Sequence, residues 1–297
     1  MTLYEEVRAA LRELEFTPRK SRGQNFLIHE RVIEAIVRLL DLKPDDELLE
    51  IGPGLGFLTR RLLERAGKVR AIEVDAVLVE RLRRSALAAD SKLQLVHGDI
   101  LTVPLADWLP KEKIKLAGNL PYSISTPVLF RIFEWRAHFS TLVLMVQKEV
   151  ADRMASAPGT KEYGSLSVWC QVHGRITEKI AVSPEAFFPR PKVRSTVLKI
   201  ELFPEPLIAA VELPALQCIV RAAFGQRRKT LGNALSARLK GDRGEIEHFL
   251  RAHDIDPRRR GETLSVDEFI KLARAARSES LLATNTDAEV HLKHKQW

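Results

Sequence analysis

Cysteine is nearly absent: Cys170 and Cys218 are the only two in 297 residues. That leaves no disulfide framework and no multi-cysteine zinc pattern. Long apolar runs are missing as well. The longest aliphatic or methionine run, Leu142 to Val146, is far short of the ~20 residues a membrane-spanning helix needs, so no membrane integration or membrane partner is expected. The opening Met1-Thr2-Leu3-Tyr4-Glu5-Glu6 lacks the basic segment and apolar stretch of a secretory signal, and the expected location is the cytoplasm. The eight histidines are scattered, and His291 with His294 is too sparse a pair to hold a metal ion.

What is present is an ordinary globular composition, 45% hydrophobic and 29% charged, well away from the low hydrophobicity of disordered chains. The length fits one large or two modest domains. Lys and Arg number 47 against 39 Asp and Glu, a formal net charge of +8. Such an excess favours an acidic partner such as nucleic acid without identifying one.

Apolar periodicity predicts amphipathic helices over Thr2–Leu14 and Glu30–Leu40, separated by a basic turn. From Glu47 short apolar strands alternate with helices: Glu47–Ile51, Val69–Val74, Leu93–His97, Ile114–Ala117 and Thr141–Val146. This alternation implies an α/β fold with a mostly parallel, doubly wound, Rossmann-like sheet. Two more strands, around Ser167–His173 and Thr196–Leu202, are expected as an antiparallel addition at one edge. Two prolines, Pro204 and Pro206, then interrupt regular structure. Beyond them only helical patterns occur, at Pro214–Phe224, Lys229–Leu239, Gly244–His253 and Ser265–Ala276. The expected organisation is a first domain over 1–204, a small all-helical domain over 205–277, and a flexible tail over 278–297.

The first strand runs into Glu50-Ile51-Gly52-Pro53-Gly54-Leu55-Gly56-Phe57-Leu58-Thr59, where glycines permit a tight turn and let a ligand reach bare backbone. Glu73 closes the next strand, placed to accept hydrogen bonds from two ribose hydroxyls. A nicotinamide dinucleotide fits less well. Its fingerprint wants a glycine where Phe57 stands, and Pro53 has no N–H to give a pyrophosphate. A nucleoside ligand without phosphates, such as S-adenosylmethionine, suits the loop better, with an ordinary tight turn as the alternative. Asp99, just past the third strand, is either a turn residue or an acceptor for an adenine amino group.

The fourth strand ends in Gly118-Asn119-Leu120-Pro121-Tyr122. The lone pair of an exocyclic amine is delocalised into its ring, so methylating it calls for acceptors aimed at the amino protons. The Asn119 side-chain oxygen and a backbone carbonyl of this turn suit that task, and Tyr122 offers a flat face for a base. Stacking on an aromatic ring contributes about 1–3 kcal/mol per base, enough to offset much of the cost of flipping a nucleotide out. A plain polar β-turn is the alternative reading.

With these residues in view, the chain resembles the KsgA/RsmA-type ribosomal RNA small-subunit adenine N6-dimethyltransferases. The resemblance spans nearly all of residues 1–277 and rests on five motifs in the family's order: Gly23–Leu27, Glu50–Thr59, Asn119–Tyr122, Ala186–Ser195 and Phe224–Leu231. It implies that Asn25, Leu27, Gly52, Glu73, Asp99 and Asn119 line an S-adenosylmethionine site. It implies catalytic roles for Asn119, Leu120, Tyr122 and Phe187, with Tyr122 and Phe187 sandwiching the target adenine. Phe188 occupies a variable family position and receives no role. The implied activity is dimethylation of two adjacent adenosines near the 3′ end of 16S rRNA in the small ribosomal subunit or its precursor, by a monomer, with a part in ribosome biogenesis. A large-subunit dimethylase conferring macrolide resistance, and an assembly factor with methylation secondary, are the rivals. The Phe187–Ser195 and Phe224–Leu231 motifs and the length of the helical domain favour the small-subunit type.

Between Arg221 and Lys240 lie Arg221, Arg227, Arg228, Lys229, Arg238 and Lys240 with no acid among them. These are expected to grip RNA phosphates, as are the groups Arg19, Lys20, Arg22 and Arg258, Arg259, Arg260. About six such contacts correspond to a slope of log affinity against log salt of roughly −4 to −5.

Overall fold

The structure is a computed structural model that describes residues 1–19, 23–105 and 108–282. In chain order the elements are α1 (Leu3–Glu13), β1 (Phe26–Leu27), α2 (Glu30–Leu40), β2 (Glu47–Ile51), α3 (Phe57–Leu63), β3 (Lys68–Glu73), α4 (Ala76–Arg84), β4 (Leu93–His97), β5 (Ile114–Asn119), α5 (Ser125–Glu134), β6 (Phe139–Gln147), α6 (Lys148–Met154) and α7 (Ser165–His173). There follow β7 (Gly174–Val182), β8 (Phe187–Phe188), β9 (Ser195–Leu202), α8 (Leu213–Gly225), α9 (Leu231–Ser236), α10 (Arg243–Ala252) and α11 (Val266–Ser278). Among the described residues no helix is long and apolar enough to cross a membrane.

Seven strands form one sheet in the order β4-β3-β2-β5-β6-β9-β7. The first five are parallel, and β9 pairs antiparallel with β6. Its strands read Leu-Leu-Glu-Ile or Leu-Val-Leu-Met-Val because a parallel sheet covered by helices is buried on both faces. Leu48, Val69, Ala117, Val143 and Met145 are buried together with Ile36 and Leu40 of α2 and Leu62 of α3. The chain winds outward from β2 through β3 to β4, then returns to place β5 on the other side of β2. That reversal opens a crevice at the carboxyl ends of β2 and β5, the place where open α/β sheets bind ligands. On the flank β1 and β8 form a two-stranded antiparallel ribbon. Phe26 of β1 packs with Val7, Ala10 and Leu11 of α1, a helix started by a Thr2–Glu5 capping box.

By its internal contacts the chain divides into two units, one of Met1–Ala151 with Arg175–Leu202 and one of Asp152–Gly174 with the described residues from Phe203 onward. The second is helical, cored by Leu216, Ile219 and Val220 of α8, Leu235 of α9, Leu250 of α10 and Phe269 and Leu272 of α11. All four helices expected beyond Pro206 form. One expected strand does not: residues 167–173 belong to α7, whose Val168 and Val172 are buried in the helical core. Its β-branched and aromatic content mimics a strand, yet every residue of the helix except Ser165 and Gln171 is buried, on all sides, as in a core helix. A strand comes one element later as β7, where Arg175, Glu178 and Lys179 are exposed. The helical unit is thus assembled from two separate stretches, where a single one from residue 205 was expected. The chain beyond residue 282, most of the expected tail and including His291 and His294, lies outside the described residues, as do Lys20 and Arg22.

Candidate active site

A cavity opens at the crevice between β2 and β5. Asn25, Leu27, Gly52, Glu73, Asp99 and Asn119, the six residues expected at the cofactor, all line it. Three strand ends deliver Gly52, Glu73 and Asn119, and β1 with the turn before it delivers Asn25 and Leu27 from the flank.

The glycine turn has the shape that a close-lying ligand requires. Gly52 and Gly54 have φ of +71° and +59°, the left-handed region that costs glycine little. A Cβ at Gly52 would meet nothing within 4 Å, so its missing side chain faces open space on the ligand side. Glu73 Oε2 accepts the Gly54 N–H at 3.0 Å and Oε1 the Asp75 N–H at 2.9 Å. Burial pushes the Glu73 carboxyl up, while these backbone donors pull it down. Each oxygen retains a second lone pair for a ribose hydroxyl. Asp99 is a turn residue, its Oδ1 accepting the Leu101 N–H at 2.9 Å, and it also lines the cavity.

Asn119 Nδ2 donates to the Asn25 carbonyl at 3.1 Å. Because a backbone carbonyl only accepts, the NH2 end of the amide must face it, and Oδ1 is turned the other way. Asn25 is itself held by its Nδ2 donating to Gly23 O at 3.1 Å. Leu120 has a buried side chain and donates its N–H to Met145 O of β6 at 3.0 Å. Among the described residues no donor reaches Asn119 Oδ1 or the Leu120 carbonyl, which leaves two acceptors at the strand end. Tyr122 is half-buried, and its phenolic oxygen shares a 2.6 Å hydrogen bond with Ser195 Oγ.

Phe187 stands elsewhere than expected. It is 2% exposed, packed with Ala117, Met145, Val182 and Val197, so it offers no open face to a base in this structure. The cause is the β1–β8 register: Phe187 is paired with Leu27, cross-strand partners share a face, and that face is turned into the apolar layer. Phe188, to which no role was given, lies edge-on to Tyr4 with centroids 5.9 Å apart.

Glu50, the acid that precedes Ile51 and the glycine turn, is a site residue that the sequence reading misses. It is 1% exposed, lines the cavity, and its Oε2 has no hydrogen-bond partner. Burial, reinforced by the nearby Glu73 charge and opposed by the Thr59 hydroxyl, lifts its carboxyl to about 8. The signal was an acid inside the otherwise apolar strand Leu48-Leu49-Glu50-Ile51.

In the helical unit, eight of the nine expected phosphate-binding cations fall into two groups, and the ninth, Arg221, is half-buried on α8. Arg227 Nη2 donates to the carbonyls of Lys161 at 2.9 Å and Tyr163 at 3.2 Å and lies 3.6 Å from Glu262. Arg259 is clamped by Glu268 and by Thr263 O at 2.7 Å, and Arg258 pairs with Asp256 at 2.9 Å. These three side chains already hold internal partners. Arg228, Lys229, Arg238, Lys240 and Arg260 are exposed and, among the described residues, form no recorded ion pair.

A parallel sheet reversing at β2/β5, a glycine turn open to a ligand and an acid at the end of the next strand define a Rossmann-like S-adenosylmethionine-dependent methyltransferase. Residues 15–277 match the family described as ribosomal RNA adenine dimethylase, and the chain belongs to that family of enzymes. The ribosomal RNA small subunit methyltransferase A of Geobacter metallireducens is 46% identical over 261 residues, 86% of this chain and 94% of that protein. Its namesake in Syntrophotalea carbinolica is 45% identical over 258 residues, 86% and 96% of the two chains. Among solved structures, a dimethyladenosine transferase from Plasmodium falciparum aligns with a TM-score of 0.73 at 26% identity, covering 86% of this chain and 99% of that one. The 23S rRNA methyltransferase ErmE aligns at 0.62 and 27%, covering 84% and 99%.

Proposed function

We propose that the chain transfers methyl groups to the N6 amines of two adjacent adenosines near the 3′ end of 16S rRNA, in the small ribosomal subunit or its precursor. It acts as a cytoplasmic monomer during ribosome biogenesis. The unit of Met1–Ala151 with Arg175–Leu202 carries the chemistry, and the helical unit of Asp152–Gly174 with the described residues from Phe203 onward docks the RNA. The observation that carries this reading is the pair of acceptors, Asn119 Oδ1 and the Leu120 carbonyl, which no donor reaches among the described residues, at a strand end whose Asn119 lines the cofactor cavity.

S-adenosylmethionine, when bound, supplies an electrophilic methyl group on a sulfonium. Gly52 and Gly54 would give its methionine tail backbone to lie against, Glu73 would take its ribose and Asp99 its adenine amino group, with Asn25, Leu27 and Asn119 lining the same cavity. The two acceptors draw on the N6 protons and so localise the nitrogen lone pair for attack. They are fixed before substrate arrives, which is where electrostatic catalysis gains most. Tyr122 stacks the base, and a target held this way must come from an unpaired or splayed-out stretch of RNA.

The small-subunit substrate is favoured over the large by the relatives: 46% identity to a small subunit methyltransferase against 27% to a 23S enzyme. Labelled methyl transfer from S-adenosylmethionine to unmethylated small subunits, large subunits and naked RNA tests the proposal. Label confined to large subunits would overturn it.

A further inference from the structure

Tyr122 is held at three points. On its N–H side it packs against Gly23, where a Cβ would come within 3.0 Å of Tyr122 N. Its carbonyl accepts the Ser125 hydroxyl at 3.1 Å. These two fix the main chain of the turn but leave the ring free to rotate about its side-chain bonds. The third point is the 2.6 Å hydrogen bond between the phenol and Ser195 Oγ, the contact that holds the far end of the side chain.

Ser195 is well mounted for that work. It is 1% exposed and opens β9 in register with Gln147 of β6, while the carbonyl of Arg194 just before it accepts the Lys148 N–H at 2.9 Å. Its hydroxyl is therefore referred to the central sheet rather than to a loop. Among the described residues it has no other recorded hydrogen-bond partner. Burial raises the Tyr122 phenol above its ordinary range, so the group stays protonated through neutral pH.

We infer that Ser195 is a positioning residue for methyl transfer: its hydroxyl anchors the phenol end of Tyr122 and so fixes the direction of the ring's long axis, so that the incoming adenine meets a ring already in place. The inference rests on the reading of Tyr122 as the stacking face. A ring ordered in advance spares the ordering cost when substrate docks. The effect therefore falls on the encounter with RNA and not on the cofactor, whose cavity is lined by neither residue.

The test is a double-mutant cycle with Ser195→Ala, Tyr122→Phe and the pair, measured on full-length protein with unmethylated small subunits. Each single variant is expected to lower kcat/KM for RNA by about 5–20-fold. The double variant should be no worse than the poorer single one. Ser195→Thr, which keeps the hydroxyl, should recover most of the loss, with S-adenosylmethionine affinity by calorimetry unchanged throughout. Additive losses, wild-type activity in Ser195→Ala, or a parallel fall in cofactor affinity would overturn the inference. Tyr122→Ala separates it from its premise. Near-normal turnover in that variant refutes the stacking reading and Ser195 with it. A large loss there, alongside normal Ser195→Ala and Tyr122→Phe, refutes the Ser195 role alone.

Discussion

The side-chain amide of Asn119 donates to the backbone carbonyl of Asn25, 94 residues earlier in the chain, at 3.1 Å. That single contact decides which end of the amide faces the target amine, because it commits Nδ2 and frees Oδ1. A segment before the first long strand therefore orients the acceptor on the fourth. Replacing Asn119 with Ala removes that acceptor. The expected result is a loss of turnover of ~10²-fold or more, the scale seen when a preorganised transition-state hydrogen-bonding group is deleted. Single-turnover kinetics measure it, and near-normal turnover would remove Asn119 from the mechanism.

Glu50 links stability to pH. Its carboxyl titrates at about 8 in the fold against 4.5 ordinarily, so the folded protein holds this proton more tightly than the unfolded chain. The stability it contributes is fully present below about pH 4.5 and is lost as pH rises through about 8. Glu50→Gln, a neutral mimic, escapes that loss. The unliganded variant should gain about 1–3 kcal/mol on the wild type between pH 5 and pH 8.5. This is less than the ~5 kcal/mol a rigid shift of that size represents, since relaxation and water entry moderate a buried charge. Denaturant melts at the two pH values check it, and a pH-independent difference would contradict it.

Arg227 and its neighbours separate clamp from grip. Arg227→Ala takes three interactions from the helical unit and should destabilise it by about 1–3 kcal/mol, with little change in the salt dependence of RNA binding. Arg228→Ala with Lys229→Ala should leave the melting curve unchanged and make the slope of log affinity against log salt shallower by roughly 1.4–1.8. Filter binding across a salt series distinguishes the two, and a shallower slope for Arg227→Ala would return it to the phosphate-binding group.

Phe187 is core. Phe187→Ala should cost about 3–5 kcal/mol of stability, read by denaturant unfolding. A loss of methyl transfer with stability intact would instead mean that the ring leaves its packing to meet the base.

Much of this was legible in the sequence because parallel strands and their helices carry strong local signals. Glu47–Ile51 and Leu93–His97 form with the bounds that periodicity gives them, and Gly52, Glu73, Asp99 and Asn119 converge on one cavity because they follow or close strands whose ends the topology brings to one rim. What was hidden depends on partners distant in sequence. The α7 segment reads as a strand until the helical core that surrounds it is known. Phe187 looks like a stacking platform until its register with Leu27 is fixed. Arg227 looks like a free cation until the carbonyls of Lys161 and Tyr163 are found against it. Ser195 carried no signal of its own, since its partner lies 73 residues away.

The central claim is that the two acceptors of the Asn119–Tyr122 turn act on adenine N6 in small-subunit RNA. Mass-spectrometric mapping of RNA from unmethylated small subunits, after incubation with the protein and S-adenosylmethionine, tests this most directly. The account predicts N6,N6-dimethyladenosine at two adjacent positions near the 3′ end, absent when Asn119→Ala replaces the wild type. Methylation at a ring carbon, at a single unrelated site, or undiminished in the variant would contradict it.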